Sequence, residues 1–135
     1  MIYLIAQHPE VEKKVRQEIE EYMKDDDYSY ENLKKLTYID CIEKETTRFY
    51  GPVNGFFLRL STKDHLLSEV AIKKDVYFGV SSPKYFKNPT EFRPERWIDE
   101  CDSIPAFVLG GFSSGPRICI GKHLAKLEAK IGLIK

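Results

Sequence analysis

The sequence predicts a mainly α-helical protein with a small β component. Apolar residues recur at three- and four-residue spacing in three separate segments, which is typical of amphipathic helices. Between residues 53 and 80, β-branched and aromatic residues alternate with polar turns and favour short strands. The 135 residues include 21 basic and 21 acidic side chains, so the charge balance gives no indication of a nucleic-acid partner.

The first long helix is expected to begin at His8-Pro9-Glu10. Proline fits the first helical turn, and acidic residues are favourable at the positive end of the helix dipole. One apolar face follows, and we expect this helix to end near Lys24; that face carries Val11, Val15, Ile19 and Tyr22. The apolar residues Met1 to Gln7 are expected to be the tail of another helix, since they are too few to span a membrane or to nucleate a helix alone.

A second helix is expected after the polar break at residues 25–29. Its apolar positions recur in helical order until Gly51-Pro52 ends it: Leu36, Ile39, Ile42, Thr46 and Phe49. Residues 81–115 carry many prolines and glycines at few periodic positions, so we predict mainly irregular structure there. Helical spacing returns after Gly121 and continues to the last residue.

The segment from Phe112 to Gly121 carries the most specific chemistry, because it is a glycine-containing loop that is expected to deliver Cys119 to the first turn of a helix. A thiolate is the form of cysteine that binds metals, and a helix amino terminus favours it. Three cysteines without a close pairing motif indicate free thiols in a reducing compartment. The alternative is a buried structural cysteine.

Residues around Cys119 suit a flat, acidic cofactor. Arg117 could pair with a carboxylate such as a haem propionate. Gly115 and Gly121 remove side chains where backbone would approach a macrocycle, and Phe112 offers an apolar wall.

Glu45 lies on the apolar face of the second helix, three residues before Arg48. A carboxylate in that position must be paired if it is buried, because an uncompensated buried charge costs several kcal/mol. Arg48 is its near partner. The alternative is an exposed helical ion pair worth at most about 0.5 kcal/mol.

These motifs resemble those of the cytochrome P450 family. The pattern Phe-x-x-Gly-x-Arg-x-Cys-x-Gly is met from Phe112 to Gly121, Glu45 to Arg48 is similar to the family's Glu-x-x-Arg, and Phe92 to Trp97 is similar to its Pro-Glu-Arg-Phe region. The resemblance implies a partial cytochrome P450 fold, with residues 1–135 as the carboxy-terminal, haem-binding part, incomplete at both ends. Gly111 departs from the pattern, because a proline is common there, and residues 75–83 are shortened.

The resemblance also implies roles for single residues. Cys119 would be the axial ligand of haem (iron protoporphyrin IX), an assignment that carries the electron donation described for this family. Arg59 would reach a propionate. Glu45, Arg48 and Arg96 would form a buried charge triad that fixes the cysteine loop.

The function implied is insertion of one atom of molecular oxygen into a small, lipophilic organic substrate, with electrons from a reductase. No residue of this chain is expected to be catalytic beyond the ligand. If the full-length protein is a microsomal relative, the resemblance implies a location on the cytosolic face of the endoplasmic reticulum membrane. Membrane association would then depend on segments outside this sequence. The alternatives are a non-catalytic truncated or haem-binding polypeptide, and a zinc site built on Cys119 and His123, which lacks a second Cys/His pair nearby.

Overall fold

The computed structural model describes residues 1–24, 27–51, 59–78, 85–105, 108–113 and 115–135. Within these ranges the α-helices are α1 (Ile2–Ala6), α2 (Pro9–Tyr22), α3 (Tyr30–Lys35), α4 (Thr37–Phe49), α5 (Arg96–Asp99) and α6 (Lys122–Ile134). The strands are β1 (Arg59–Leu60), β2 (His65–Leu67), β3 (Val70–Ile72) and β4 (Tyr77–Phe78). Single 3₁₀ turns occupy Cys101–Ser103, Gly110–Phe112 and Gly115–Arg117. The predicted mainly helical fold with a small β component is confirmed.

Helix α2 begins at Pro9, as the sequence predicted, with His8 as its N-cap residue. It ends at Tyr22, two residues before the expected end at Lys24. Val11 and Val15 are buried on its inner face. The preceding apolar residues form the short helix α1, which packs against α2.

The sequence predicted one helix after residue 29, whereas the structure has two there: the short helix α3 precedes α4, and Leu36 separates them. The hydroxyl of Ser29 caps this helix by accepting a hydrogen bond from the Asn32 N–H at 3.4 Å. Glu31 in its first turn and Lys34 and Lys35 in its last turn complement the helix dipole. Six residues are too few to show a helical period, so the cap and the charges were the only signals available.

Helix α4 has its amino terminus capped from another helix. The Glu18 carboxylate on α2 accepts hydrogen bonds from the backbone N–H groups of Tyr38, at 2.7 Å, and Ile39, at 3.1 Å. Leu36, Ile39 and Ile42 are fully buried at the centre of the main core. These contacts fix α4 as the central helix, against which α2, α5 and α6 all pack.

The strands form two separate antiparallel pairs. Strand β1 pairs with β4, with Arg59 opposite Phe78, and β2 pairs with β3, with His65 opposite Ile72. The short strands predicted between residues 53 and 80 are therefore present in the described part of that segment. Residues 52–58 and 79–84, which include the predicted strand residues Phe56 and Phe57 and the shortened Ser81-Ser82-Pro83, lie outside the described residues.

A second, smaller core cluster lies between α4 and the predicted irregular segment. It is built from Cys41, Phe86, Trp97 and Ile104. Its aromatic pair, Phe86 and Trp97, meets edge-on with ring centroids 6.0 Å apart. The described part of residues 81–115 is mainly irregular, as expected, except for α5 and the 3₁₀ turns. None of the described helices is both long and apolar enough to cross a membrane.

Candidate functional site

Cys119 lies on a tightly turned loop directly before α6. Its backbone N–H donates to the carbonyl oxygen of Phe112 at 2.9 Å, and its carbonyl oxygen accepts from the Lys122 N–H at 3.3 Å. The thiol is free and exposed. The loop thus presents the sulfur at the surface while its backbone is fixed at both ends.

The expected position of Cys119 in the first turn of a helix is wrong by about one turn. Helix α6 begins at Lys122, with Gly121 as its N-cap residue, so Cys119 precedes the first helical residue by three positions. The 3₁₀ turn Gly115–Arg117 occupies the chain just before it. Sequence periodicity could not show this, because the apolar positions that define α6 begin only at Leu124.

The two glycines of the loop, Gly115 and Gly121, lie in different structural settings. Gly115 has a φ of +73°, in the left-handed region that favours glycine, and an added Cβ would meet nothing within 4 Å. At Gly121 an added Cβ would lie 3.9 Å from the Cys119 sulfur. A side chain at position 121 would therefore begin in ordinary van der Waals contact with the sulfur.

The residues that flank Cys119 along the chain include exposed apolar side chains and one exposed cation. Ile118 is 45% exposed, Ile120 is 102% exposed and Leu124 is 60% exposed. Phe112 is half-buried and Arg117 is exposed, with no ion pair to another residue in the described part of the chain. Exposed apolar side chains that follow and precede a free thiol in the chain are compatible with contact to a flat apolar ligand.

The three cysteines differ in their chemical settings. Cys41 is buried in the second core cluster, where burial is the main cause that raises the pKa of its thiol to about 11. Cys101 is exposed in a 3₁₀ turn, 3.6 Å from a carboxylate oxygen of Asp102. Only Cys119 combines an exposed thiol with the glycine turns and exposed apolar neighbours described above.

Glu45 is the centre of a buried charge cluster. Its carboxylate is fully buried and accepts five hydrogen bonds at 2.9–3.0 Å. The donors are the Arg48 Nε and Nη2 groups, the Arg96 Nε group, the Trp97 indole N–H and the Arg93 backbone N–H. The structure therefore brings Glu45, Arg48 and Arg96 together.

The two arginines also hold the chain that precedes α5. Arg48 donates to the carbonyl oxygens of Pro89, at 2.6 Å, and Glu91, at 2.9 Å. Arg96 donates to those of Lys87, at 2.7 Å, and Glu91, at 3.1 Å. Residues 87–91 have no helical or strand ladder of their own, so these side chains satisfy backbone groups that would otherwise lack protein partners.

The environment of Glu45 keeps its carboxyl group ionised. Burial by itself raises the pKa, but the hydrogen bonds from Arg48, the Arg93 backbone and Arg96, together with the charge of Arg48, outweigh that effect. The net pKa of Glu45 lies below its ordinary value. A buried carboxylate with two guanidinium partners is consistent with a fixed structural charge.

Two donors to Glu45 were missed by the sequence analysis. The Trp97 side chain is buried, and its indole N–H lies 2.9 Å from Glu45 Oε2. A tryptophan directly after a buried arginine was an available signal, because a buried indole N–H needs an acceptor. The Arg93 backbone N–H carried no signal at all, since any residue but proline supplies one.

Two other proposed sites have less to support them. Arg59 begins β1, but its side chain lies outside what the structure describes, as do the side chains of its partner strand. Cys119 and His123 gain no third donor, because no group of three or more His, Cys, Asp or Glu residues suited to a metal ion occurs among the described residues.

Comparison with known proteins agrees with the motifs. A sequence profile of the cytochrome P450 family matches residues 1–135. The chain is 33% identical to cytochrome P450 9e2 of Blattella germanica, with 99% of this chain and 27% of that protein covered. It is 32% identical to cytochrome P450 3A15 of Cavia porcellus, covering 100% of this chain and 28% of that protein. It is 37% identical to the putative cytochrome P450 CYP13A10 of Caenorhabditis elegans, covering 96% of this chain and 27% of that protein.

The chain belongs to the cytochrome P450 family, whose cofactor is haem. It spans about a quarter of the length of the curated relatives that it matches. The residues at the loop fit the cofactor: a free exposed thiol for iron, an exposed guanidinium for a propionate, and exposed isoleucines for an apolar macrocycle.

Proposed function

We propose that this chain provides the haem-binding part of a monooxygenase, with the Cys119 thiolate as the axial ligand of the haem iron. The observation that carries the proposal is the free, exposed Cys119 in the Phe-x-x-Gly-x-Arg-x-Cys-x-Gly loop. Bound haem iron would supply the activation of molecular oxygen, from which one oxygen atom is inserted into an organic substrate. The family membership supports this chemistry.

The chain's own residues bind and orient the cofactor in this proposal. Cys119 supplies the sulfur, and the hydrogen bond from its N–H to Phe112 fixes the loop that carries it. Arg117 pairs with a propionate, and Arg59 is proposed for a second propionate contact. Gly115 sets the turn, Gly121 places no side chain beside the sulfur, and the ring of Phe112 provides apolar contact.

The charge triad of Glu45, Arg48 and Arg96 acts as a scaffold in this proposal. It joins α4 to residues 87–97 by the hydrogen bonds described above. Gly111 of the cysteine loop lies against Thr47, which is between Glu45 and Arg48 on α4. The cysteine loop therefore packs on α4, which the triad holds in place. In this proposal Glu45, Arg48 and Arg96 are positioning residues.

The rest of the activity belongs to the protein as a whole. We propose a reductase as electron donor and a small, lipophilic organic molecule as substrate, on the support of family membership. We also propose the cytosolic face of the endoplasmic reticulum membrane as the location of a microsomal protein with this chain as its carboxy-terminal part.

Absorption spectroscopy of the purified, haem-loaded protein tests the ligand. After reduction under carbon monoxide we expect a red-shifted, thiolate-type Soret band, and we expect Cys119→Ala to abolish it. Cys101→Ala is the matched control, because Cys101 is also free and exposed; it should leave the band unchanged. Identical spectra from the wild-type and Cys119→Ala proteins would sink the assignment.

A haem-binding polypeptide without turnover is the second candidate, and the exposure of the thiol and of Ile120 favours it for these 135 residues. Oxygen chemistry requires a site that excludes water. We expect the 135-residue chain with haem and a reductase to show the thiolate-type band but little product, as measured by substrate oxidation per haem. Sustained turnover by this chain would contradict the second candidate.

A further inference from the structure

We propose that Glu43, Thr47 and Lys126 are positioning residues that anchor both flanks of the Cys119 loop to one face of α4. The inference rests on the proposed function, because it concerns the loop that carries the proposed iron ligand. It adds residues that lie outside the haem-binding pattern and outside the Glu45 cluster. Three contacts carry it.

The upstream flank is held by contact with Thr47. An ideal Cβ built on Gly111 would lie only 1.9 Å from the Thr47 Cγ2 atom, so the loop backbone lies directly on this side chain. Gly111 belongs to the 3₁₀ turn Gly110–Phe112, whose Phe112 carbonyl accepts the Cys119 N–H at 2.9 Å. A shift of that turn away from Thr47 would therefore move the cysteine's backbone.

The downstream flank is held by ion pairs between α6 and α4. Lys126 Nζ lies 2.8 Å from Glu43 Oε2. One turn further along α6, Lys130 Nζ lies 2.9 Å from Asp40 Oδ2 and also donates to the Leu33 carbonyl at 2.9 Å. The Lys126 pair is the one nearer to Cys119, so it sets where α6 begins relative to α4.

The two flanks are connected through Glu43. The Thr47 hydroxyl donates to Glu43 Oε1 at 3.4 Å, and the two residues lie on one helix face because they are four positions apart. Glu43 is 9% exposed, and its buried Oε2 has the Lys126 ammonium group, 2.8 Å away, as its charged neighbour among the described residues. Lys126 is therefore its charge compensation, and losing that partner would destabilise this contact strongly.

The loop between these anchors contains Cys119. A ligating side chain must be held within about 0.5 Å of its productive position, so loss of one anchor should affect ligation before it affects the whole fold. We therefore expect a spectroscopic effect that ordinary loss of surface charge would not produce.

Charge reversal with restoration tests the inference in the haem-loaded protein. We expect Glu43→Lys and Lys126→Glu each to raise the ratio of non-thiolate to thiolate ferrous carbonyl species by about tenfold. The double variant, which exchanges the two charges, should return most of the thiolate-type band. Glu43→Gln is a milder variant, should Glu43→Lys fold poorly. The control is charge reversal of the exposed Glu12–Arg16 pair, in which Arg16 Nη2 lies 2.7 Å from Glu12 Oε1. It should not change the ratio of the two carbonyl species.

The outcomes separate this inference from the proposed function. A wild-type thiolate band that the single reversals leave intact, or that the double variant fails to restore, overturns the anchoring role alone. A wild type without the band overturns the ligand assignment instead. Amide hydrogen exchange of residues 119–125 then tests the anchoring without haem. Faster exchange in the single variants and restored protection in the double variant support it, and equal exchange in all proteins refutes it.

Discussion

Replacing Glu45 with glutamine is expected to lower the free energy of unfolding by about 3–5 kcal/mol. The substitution preserves shape but leaves the buried guanidinium groups of Arg48 and Arg96 without a counter-charge. It also places an amide where the carboxylate accepts five hydrogen bonds, and an amide nitrogen cannot accept. A loss of that size is a large fraction of the stability of an ordinary domain.

Denaturant unfolding of the haem-loaded protein measures this effect. Glu12→Gln is the matched control, because Glu12 also pairs with an arginine but on the exposed surface of α2, where such a pair contributes at most about 1 kcal/mol. Equal losses for the two variants would contradict a buried structural role for Glu45.

The Glu45 contribution should also depend on pH. Because the folded-state pKa of Glu45 lies below its ordinary value, the contribution is fully present above that ordinary value, about 4.5. It is lost as the pH falls through the folded pKa, because the unfolded state takes up the proton first and folding must then release it. The stability difference between the wild type and Glu45→Gln should therefore be constant near neutral pH and narrow below about pH 4.

Replacing Arg96 with methionine is expected to have the second large effect. It should also lower the free energy of unfolding by about 3–5 kcal/mol. Arg96 is fully buried, and its side chain donates to Glu45 Oε1 at 3.0 Å and to the Lys87 carbonyl at 2.7 Å. Methionine fills much of the space but donates to neither acceptor. The buried carboxylate would keep only Arg48 as a charged partner.

Arg93→Met is the control for Arg96, since it changes the same residue type three positions away. The Arg93 side chain is 31% exposed and pairs with Asp99 and Glu100, whereas its backbone N–H, which binds Glu45, survives the substitution. Glu100 is itself only 10% exposed but keeps Arg96 Nη1 at 3.9 Å, so we expect a loss clearly smaller than that of Arg96→Met, measured by the same unfolding experiment. Arg96→Met behaving like Arg93→Met would show that the buried triad contributes little.

Much of the architecture could be predicted because it depends on local signals. The start of α2 followed from Pro9, and α4 followed from apolar residues at helical spacing, with Glu45 among them. Helix α3 could not be predicted from periodicity, because six residues complete fewer than two turns. The exposed hairpin of β2 and β3 has apolar residues such as Leu66 and Val70 on its surface, so its pattern gave no indication of which face is buried.

The candidate site also divides into residues that local motifs identify and partners that only the folded structure brings together. The cysteine loop and Glu-x-x-Arg are contiguous patterns, so the sequence identified their members. The partners that complete the cluster at Glu45 come from 48 to 52 residues away along the chain. The contact of Gly111 with Thr47 and the pairing of Lys126 with Glu43 depend on how helices pack, which no spacing within one segment reveals.

The most direct test of the central claim is detection of the iron–sulfur bond itself. Resonance Raman spectroscopy of the haem-loaded protein should show an iron–sulfur stretching band. The band should shift to lower frequency when the cysteines carry a heavier sulfur isotope. We expect the band to persist in Cys41→Ala and Cys101→Ala and to be missing in Cys119→Ser. A labelled wild-type protein without a sulfur-sensitive band, or a Cys119→Ser protein that retains it, would contradict ligation by Cys119.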